Sequence, residues 1–235
     1  MFDCAKRMRP WFWFGWRIIR NHMVIWHQLK VLDVHNLPLT GGVIVASNHI
    51  SHLDPPAVGG ATPRLSRFVA KEELFRQFFL SWYLPSVGVI PIKRGAGGRS
   101  MLENAAEAVV NGDLVTMFPE GTRSRTGMPG KPHTGVIVLA AMTGAPIIPV
   151  RVSGTFDCMP PRSTFPRPGK VQVAFGEPIK WAPDELDTDN REQLFREVKR
   201  VMAAIYKLPG WHPRHAKASI EEIEEKIRSF SSDSP

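Results

Sequence analysis

The chain has 235 residues, of which 43% are hydrophobic and 22% charged. That is enough to bury one sizeable core, and the composition excludes fibrous, collagenous and wholly disordered proteins. Its two cysteines, Cys4 and Cys158, make no disulfide framework and point to a reducing compartment. With 30 basic against 22 acidic residues the net charge is +8; an anionic partner follows, and charge alone does not choose among nucleic acid, a membrane surface and a phosphorylated substrate.

The charge is uneven. Residues 1–180 carry 21 basic and 11 acidic side chains, residues 181–235 only 9 and 11. In the first thirty positions Lys6, Arg7, Arg9, Arg17, Arg20 and Lys30 face the single acid Asp3, and Trp11, Trp13, Trp16 and Trp26 lie among them. Cations interleaved with indoles are what a membrane interface selects. Residues 10–29 are too polar to span a bilayer and lack the apolar run and cleavage site of a signal peptide. At about 100° per residue, Phe12, Trp16, Ile19, Met23 and Trp26 share one face of a helix. The preferred reading is a helix lying in the headgroup region on Trp11, Phe12, Trp13, Trp16, Arg17, Arg20 and Trp26; the alternative is an amphipathic helix packed on its own domain.

Beyond this arm, short β-branched runs alternate with helical stretches, which predicts an α/β fold: a single mixed, largely parallel sheet of about seven strands flanked by helices. The strands are expected at 29–34, 43–47, 65–70, 89–93, 114–118, 147–153 and 171–175, and the helices at 55–61, 71–85, 98–111, 135–144 and 190–207. Pro149 lacks a ladder donor, so its strand is expected to be irregular or at an edge. Four prolines make 155–170 a loop. Ser219 and Glu222 have capping-box spacing and open a last helix over 220–228. The chain divides as an interfacial arm (1–28), an α/β domain (29–207) and a C-terminal helix with a frayed tail (208–235).

The chemistry-bearing residues stand at predicted strand ends, where open α/β sheets gather their sites. After strand 43–47 come His49 and Asp54. Their five-residue spacing fits neither a helix face nor a strand face, so the intervening residues must turn for imidazole and carboxylate to meet. Asp54 ahead of Pro55 also reads as a helix N-cap. His52 has no further partner at metal-ligand spacing, and no metal is expected. Strand 114–118 runs into Pro119, Glu120, Gly121, Thr122, Arg123 and Arg125. Here a glycine permits close backbone approach, a hydroxyl and two guanidinium forks suit phosphate oxygens, and Glu120 is placed to orient an arginine or bind a substrate hydroxyl. Strand 89–93 ends in Lys93 and Arg94. On residue types alone each cluster also reads as ordinary structure: a histidine beside an aspartate, and basic surface turns.

The order Asn48-His49-x4-Asp54, then Lys93-Arg94-Gly95, then Phe118-Pro-Glu-Gly-Thr-Arg123, then Ile148-Pro149-Val150 resembles the four blocks of the glycerolipid acyltransferases, over about residues 40–180. The nearest likeness is to the bacterial lysophosphatidic acid acyltransferases. The resemblance implies His49 as general base, supported by Asp54, with Arg94, Lys93, Glu120, Gly121, Thr122 and Arg123 binding the glycerol phosphate. Lys131 stands where relatives carry a basic pair, and Pro149 would shape the acyl side. It also implies transfer of a fatty acyl group from acyl carrier protein or coenzyme A to lysophosphatidate, with no bound cofactor. The enzyme would sit peripherally or monotopically on the anionic cytoplasmic face of the inner membrane, with no nucleic acid partner. The aromatic stretch Leu74, Phe75, Phe78, Phe79, Leu80, Trp82, Tyr83 and Leu84 would line an acyl tunnel or dip into lipid; on residue types alone it reads as an ordinary buried helix. Two rivals remain at this point: the same chemistry on another lyso-lipid, and a non-catalytic lipid-binding relative.

Overall fold

The computed structural model describes residues 10–71, 90–92, 97–161, 163, 165–211 and 219–231. The aromatic stretch from Leu74 to Leu84, Lys93, Arg94, and the side chains of Trp11, Phe12 and Trp13 lie outside the described residues.

Among the described residues, seven strands form one sheet in the order β1-β7-β6-β2-β5-β3-β4. They are β1 (Lys30–Leu32), β2 (Val43–Ser47), β3 (Ser66–Lys71), β4 (Ile90–Ile92), β5 (Leu114–Met117), β6 (Ile147–Ser153) and β7 (Gln172–Phe175). All neighbours are parallel except β6 and β7, the mixed, mostly parallel arrangement expected. β2 lies between β5 and β6 and is buried at every position, which is why Val43-Ile-Val-Ala-Ser47 is an unbroken apolar run rather than an alternating one.

The pleat divides the side chains between two cores. Val43, Val45, Ile148, Val150 and Val152 join one cluster with Met23 from α1 (Pro10–Trp26) and Ala57, Val58 and Ala61 from α2 (Asp54–Ala61). Ile44, Ala46 and Ile147 join the other, with α3 (Gly97–Val110), α4 (Gly135–Thr143), α6 (Arg191–Lys207) and α7 (Ile220–Ser229). α7 opens on the expected capping box of Ser219 and Glu222 and buries Ile223 and Ile227 against α6.

Three expectations are corrected. Pro149 is not at an edge: β6 is an interior strand. The expected irregularity is present instead: the pairing shifts by one residue between Val150↔Phe175 and the Ile147↔Ile179 bridge, with the extra residue on the 176–178 side, so Pro149 faces a bulge where no ladder N–H is required. The segment 155–170 is not all loop, because α5 (Thr155–Cys158) forms one turn directly after β6. The third correction concerns α1, whose Trp16 indole donates to the Gly59 carbonyl at 3.0 Å and whose Arg20 donates to Gly60 at 2.5 Å, with Met23 fully buried. The face that includes Trp16, Ile19 and Met23, expected to meet lipid, thus packs on α2. The outward stripe is instead Phe14, Ile18 and Ile25, which are 64%, 54% and 76% exposed.

Candidate active site

Because β2, β5 and β6 run parallel, their carboxyl ends open at one edge of the sheet. The residues that follow β2, β5 and β6 therefore gather there.

Residues 50–53 turn as the spacing required, and Nδ1 of His49 lies 2.8 Å from Oδ2 of Asp54. The same oxygen accepts the backbone N–H groups of Ile50 at 2.6 Å and Ser51 at 2.7 Å. Oδ2 therefore carries no proton of its own, so His49 Nδ1–H is the donor, and in the neutral ring Nε2 keeps its lone pair. Asp54 does not cap α2 as expected: with Pro55 and Pro56 next in the helix there are few amides ahead for it to accept, and its side chain turns back on residues 50 and 51. The imidazole stacks on Phe118, with ring centroids 4.1 Å apart, and its side chain remains 17% exposed toward the crevice.

Asn48 extends the sheet by side chain: its amide donates to Val152 O at 3.0 Å and accepts from Val152 N at 2.8 Å. This fastens the end of β6 to the end of β2. Thr155, two residues past β6, donates its hydroxyl to Oδ1 of Asp54 at 2.6 Å. Sequence reasoning missed Thr155, which falls in a segment read as loop, 101 residues from its partner.

Glu120 is also corrected. Its carboxyl is 4% exposed and is taken up by backbone: His49 N–H donates to Oε1 at 3.0 Å and Gly130 N–H to Oε2 at 2.8 Å. Ser124 N–H closes on the His49 carbonyl at 2.7 Å. Glu120 thus ties the β5 loop to the histidine instead of facing an arginine or a substrate hydroxyl. Burial pushes its carboxyl up to about 7 against the pull of the two amides. Tyr206 of α6 lies beside it, with burial holding the phenol well above its usual range.

Gly121 adopts φ +63° and packs against His133, a conformation and a closeness that a side chain would disturb. Thr122 and Arg123 are exposed in the loop that follows β5. Arg123 stands close enough to His52 that, after partial burial, its charge is the next cause of that imidazole's lowered pKa. Lys131 is not among them: its ammonium rests over the ring of Phe195 at 5.7 Å, on α6. Pro149 is buried in β6, paired with Ala46 of β2. Among the described residues no group of three His, Cys, Asp or Glu side chains is placed to hold a metal ion.

The folded state keeps the Glu120 proton up to about pH 7, whereas the unfolded chain releases it near the ordinary value of 4.5. The native form therefore binds more protons across that window, and stability falls as pH rises through it. Glu120→Gln removes this dependence, so the Tm of the native chain minus that of the variant, followed by scanning fluorimetry, declines between about pH 4.5 and about pH 7. A difference that stays constant over that range contradicts the buried titration.

A protein-family model described as Acyltransferase matches residues 28–153. The chain is 29% identical to a 1-acyl-sn-glycerol-3-phosphate acyltransferase of Bacillus subtilis, over 71% of this chain and 80% of that one. It is 31% identical to a chloroplastic protein of that name from Brassica napus, over 75% of this chain and 52% of the longer plant protein. Among solved structures, the 1-acyl-sn-glycerophosphate acyltransferase of Thermotoga maritima superposes with a TM-score of 0.68 at 24% identity, covering 97% of this chain and 83% of that one, which establishes a shared fold. With the family model spanning more than half of its length and both site-bearing strands β2 and β5, the chain belongs to the acyltransferase family.

Proposed function

We propose that this protein transfers a fatty acyl group from a thioester to the free sn-2 hydroxyl of lysophosphatidate, forming phosphatidate. The observation that carries this reading is a partly exposed imidazole whose Nδ1 is committed to a buried carboxylate and whose Nε2 is left to accept a proton, in a chain of this family. The acceptor oxygen attacks the thioester carbonyl carbon as its proton passes to Nε2 of His49. The tetrahedral intermediate then expels the thiolate, the C–S bond breaks, and the proton returns to sulfur. Asp54 orients the ring and supports the imidazolium during the step.

Arg94 with Lys93, and Arg123 with Thr122 in the loop after β5, bind the acceptor phosphate through the fork geometry that guanidinium offers to phosphate oxygens. Gly121 lets the backbone approach that group. Glu120 holds the His49 backbone in register, and Pro149 shapes the acyl side. The donor is an acyl carrier protein or coenzyme A thioester, and no resident cofactor takes part.

Residues 1–28 serve as a membrane arm, 29–207 as the catalytic domain and 208–235 as its helical cover. No described helix is long and apolar enough to cross a membrane. The arm instead lies on an anionic bilayer at its cytoplasmic face, through Phe14, Ile18, Ile25 and the half-exposed Trp26, with Arg17 and the basic residues before it.

His49→Ala abolishes thioester-dependent phosphatidate formation in a thiol-release assay, by at least about a thousandfold; near-normal turnover would end the mechanism. Activity on a phosphate-free lyso-lipid equal to that on lysophosphatidate would instead redirect the acceptor assignment. For the arm, replacing Phe14, Ile18 and Ile25 together by serine reduces cosedimentation with phosphatidylglycerol vesicles by more than about tenfold without lowering Tm, since each lost apolar contact with lipid weakens partitioning. Unchanged vesicle binding would place the membrane contact elsewhere.

A further inference from the structure

The Asp54 carboxylate has two oxygens with different partners. Oδ2 is committed to the histidine and to two amides of its own loop. Oδ1 receives the hydroxyl of Thr155, from beyond the end of the neighbouring strand β6. Both residues are fully buried, so this contact is not shared with bulk water.

The chain takes specific steps to bring Thr155 there. Asn48 registers β6 on β2 through both polar groups of Val152. Gly154 then turns the backbone at φ +84°, a conformation that favours glycine, and α5 begins at Thr155. The Ser51 hydroxyl donates to the Met159 carbonyl at 2.9 Å, tying the far end of that short turn to the His49–Asp54 loop. α5 is thus fixed at both ends to the loop that carries the histidine.

We propose that Thr155 is a positioning residue for the acyl transfer, completing a His49–Asp54–Thr155 chain in which its hydroxyl fixes the second carboxylate oxygen and disperses its charge. The proposal rests on the reading of His49 as the base. A carboxylate gripped on one oxygen alone can still rotate and tilt the imidazole; gripped on both, it cannot. The hydroxyl donor also withdraws charge from Asp54, which limits how strongly the carboxylate holds the imidazolium.

Thr155→Val removes the hydroxyl at nearly constant shape, and Thr155→Ser keeps the hydroxyl while removing a methyl. The expected result is a kcat lower by about 10- to 100-fold in the valine variant, with KM for lysophosphatidate and for the thioester within about twofold. The acidic limb of its kcat–pH profile moves to higher pH, and serine restores both kcat and the limb. If the valine variant does not fold, Thr155→Cys, whose S–H is only a weak donor, gives the same pattern in smaller measure. Valine at native kcat with an unmoved limb overturns the proposal. So does a loss that serine fails to restore, which would mean that the methyl's packing, not the hydroxyl, matters. These outcomes are separate from failure of the functional reading, which shows as native enzyme whose turnover is absent or indifferent to His49.

Discussion

A carboxylate buried at zero exposure is tolerated only when its lone pairs are taken by donors, because an unpaired buried charge costs many kcal/mol. Asp54 meets that demand with one ring N–H, two backbone N–H groups and one hydroxyl. Each donor constrains the fold. The amides of Ile50 and Ser51 shape the turn after β2, the ring N–H fixes the histidine, and the hydroxyl ties the segment after β6 to that turn. The requirement to satisfy one charge therefore organises the site, and the same geometry leaves Nε2 open for a proton.

A second buried carboxyl works in parallel. Glu120 reaches the His49 backbone from β5 as Asp54 reaches its ring from α2, so the histidine is held by main chain and side chain from different elements. The two carboxyls repel, and Asp54 is one of the causes, after burial, that raise Glu120. Phe118 packs flat on the ring from the same loop. The histidine thus has little freedom besides the exposed edge that faces substrate, the preorganisation that proton transfer needs.

Much of this was legible from residue order, and the exceptions have physical causes. β2 and β6 stand where their runs predict them because, with no alternation to read in strands buried on both faces, short length and β-branched residues still mark them as strands. His49 and Asp54 were legible through their motif. Thr155 was not, because nothing in a proline-rich stretch announces that its first hydroxyl meets a residue 101 positions earlier; the glycine before it is the only local signal. Glu120 was misread because its partners are backbone amides, which carry no sequence signature. Periodicity gave α1 an apolar face but could not say that α2, rather than lipid, would cover it. Pro149 marked its strand as irregular or at an edge, and the proline alone could not choose between the two, because a one-residue bulge on the facing strand is not visible along a single strand.

The central claim is that Asp54 locks His49 in the tautomer with hydrogen on Nδ1 and a lone pair on Nε2. The most direct measurement is long-range 1H–15N correlation on the imidazole-labelled native chain, at a pH above the ring's titration. The account predicts one His49 tautomer, with a protonated, downfield Nδ1–H and an unprotonated Nε2. A ring protonated at Nε2, or a rapidly averaging mixture of the two tautomers, would contradict it.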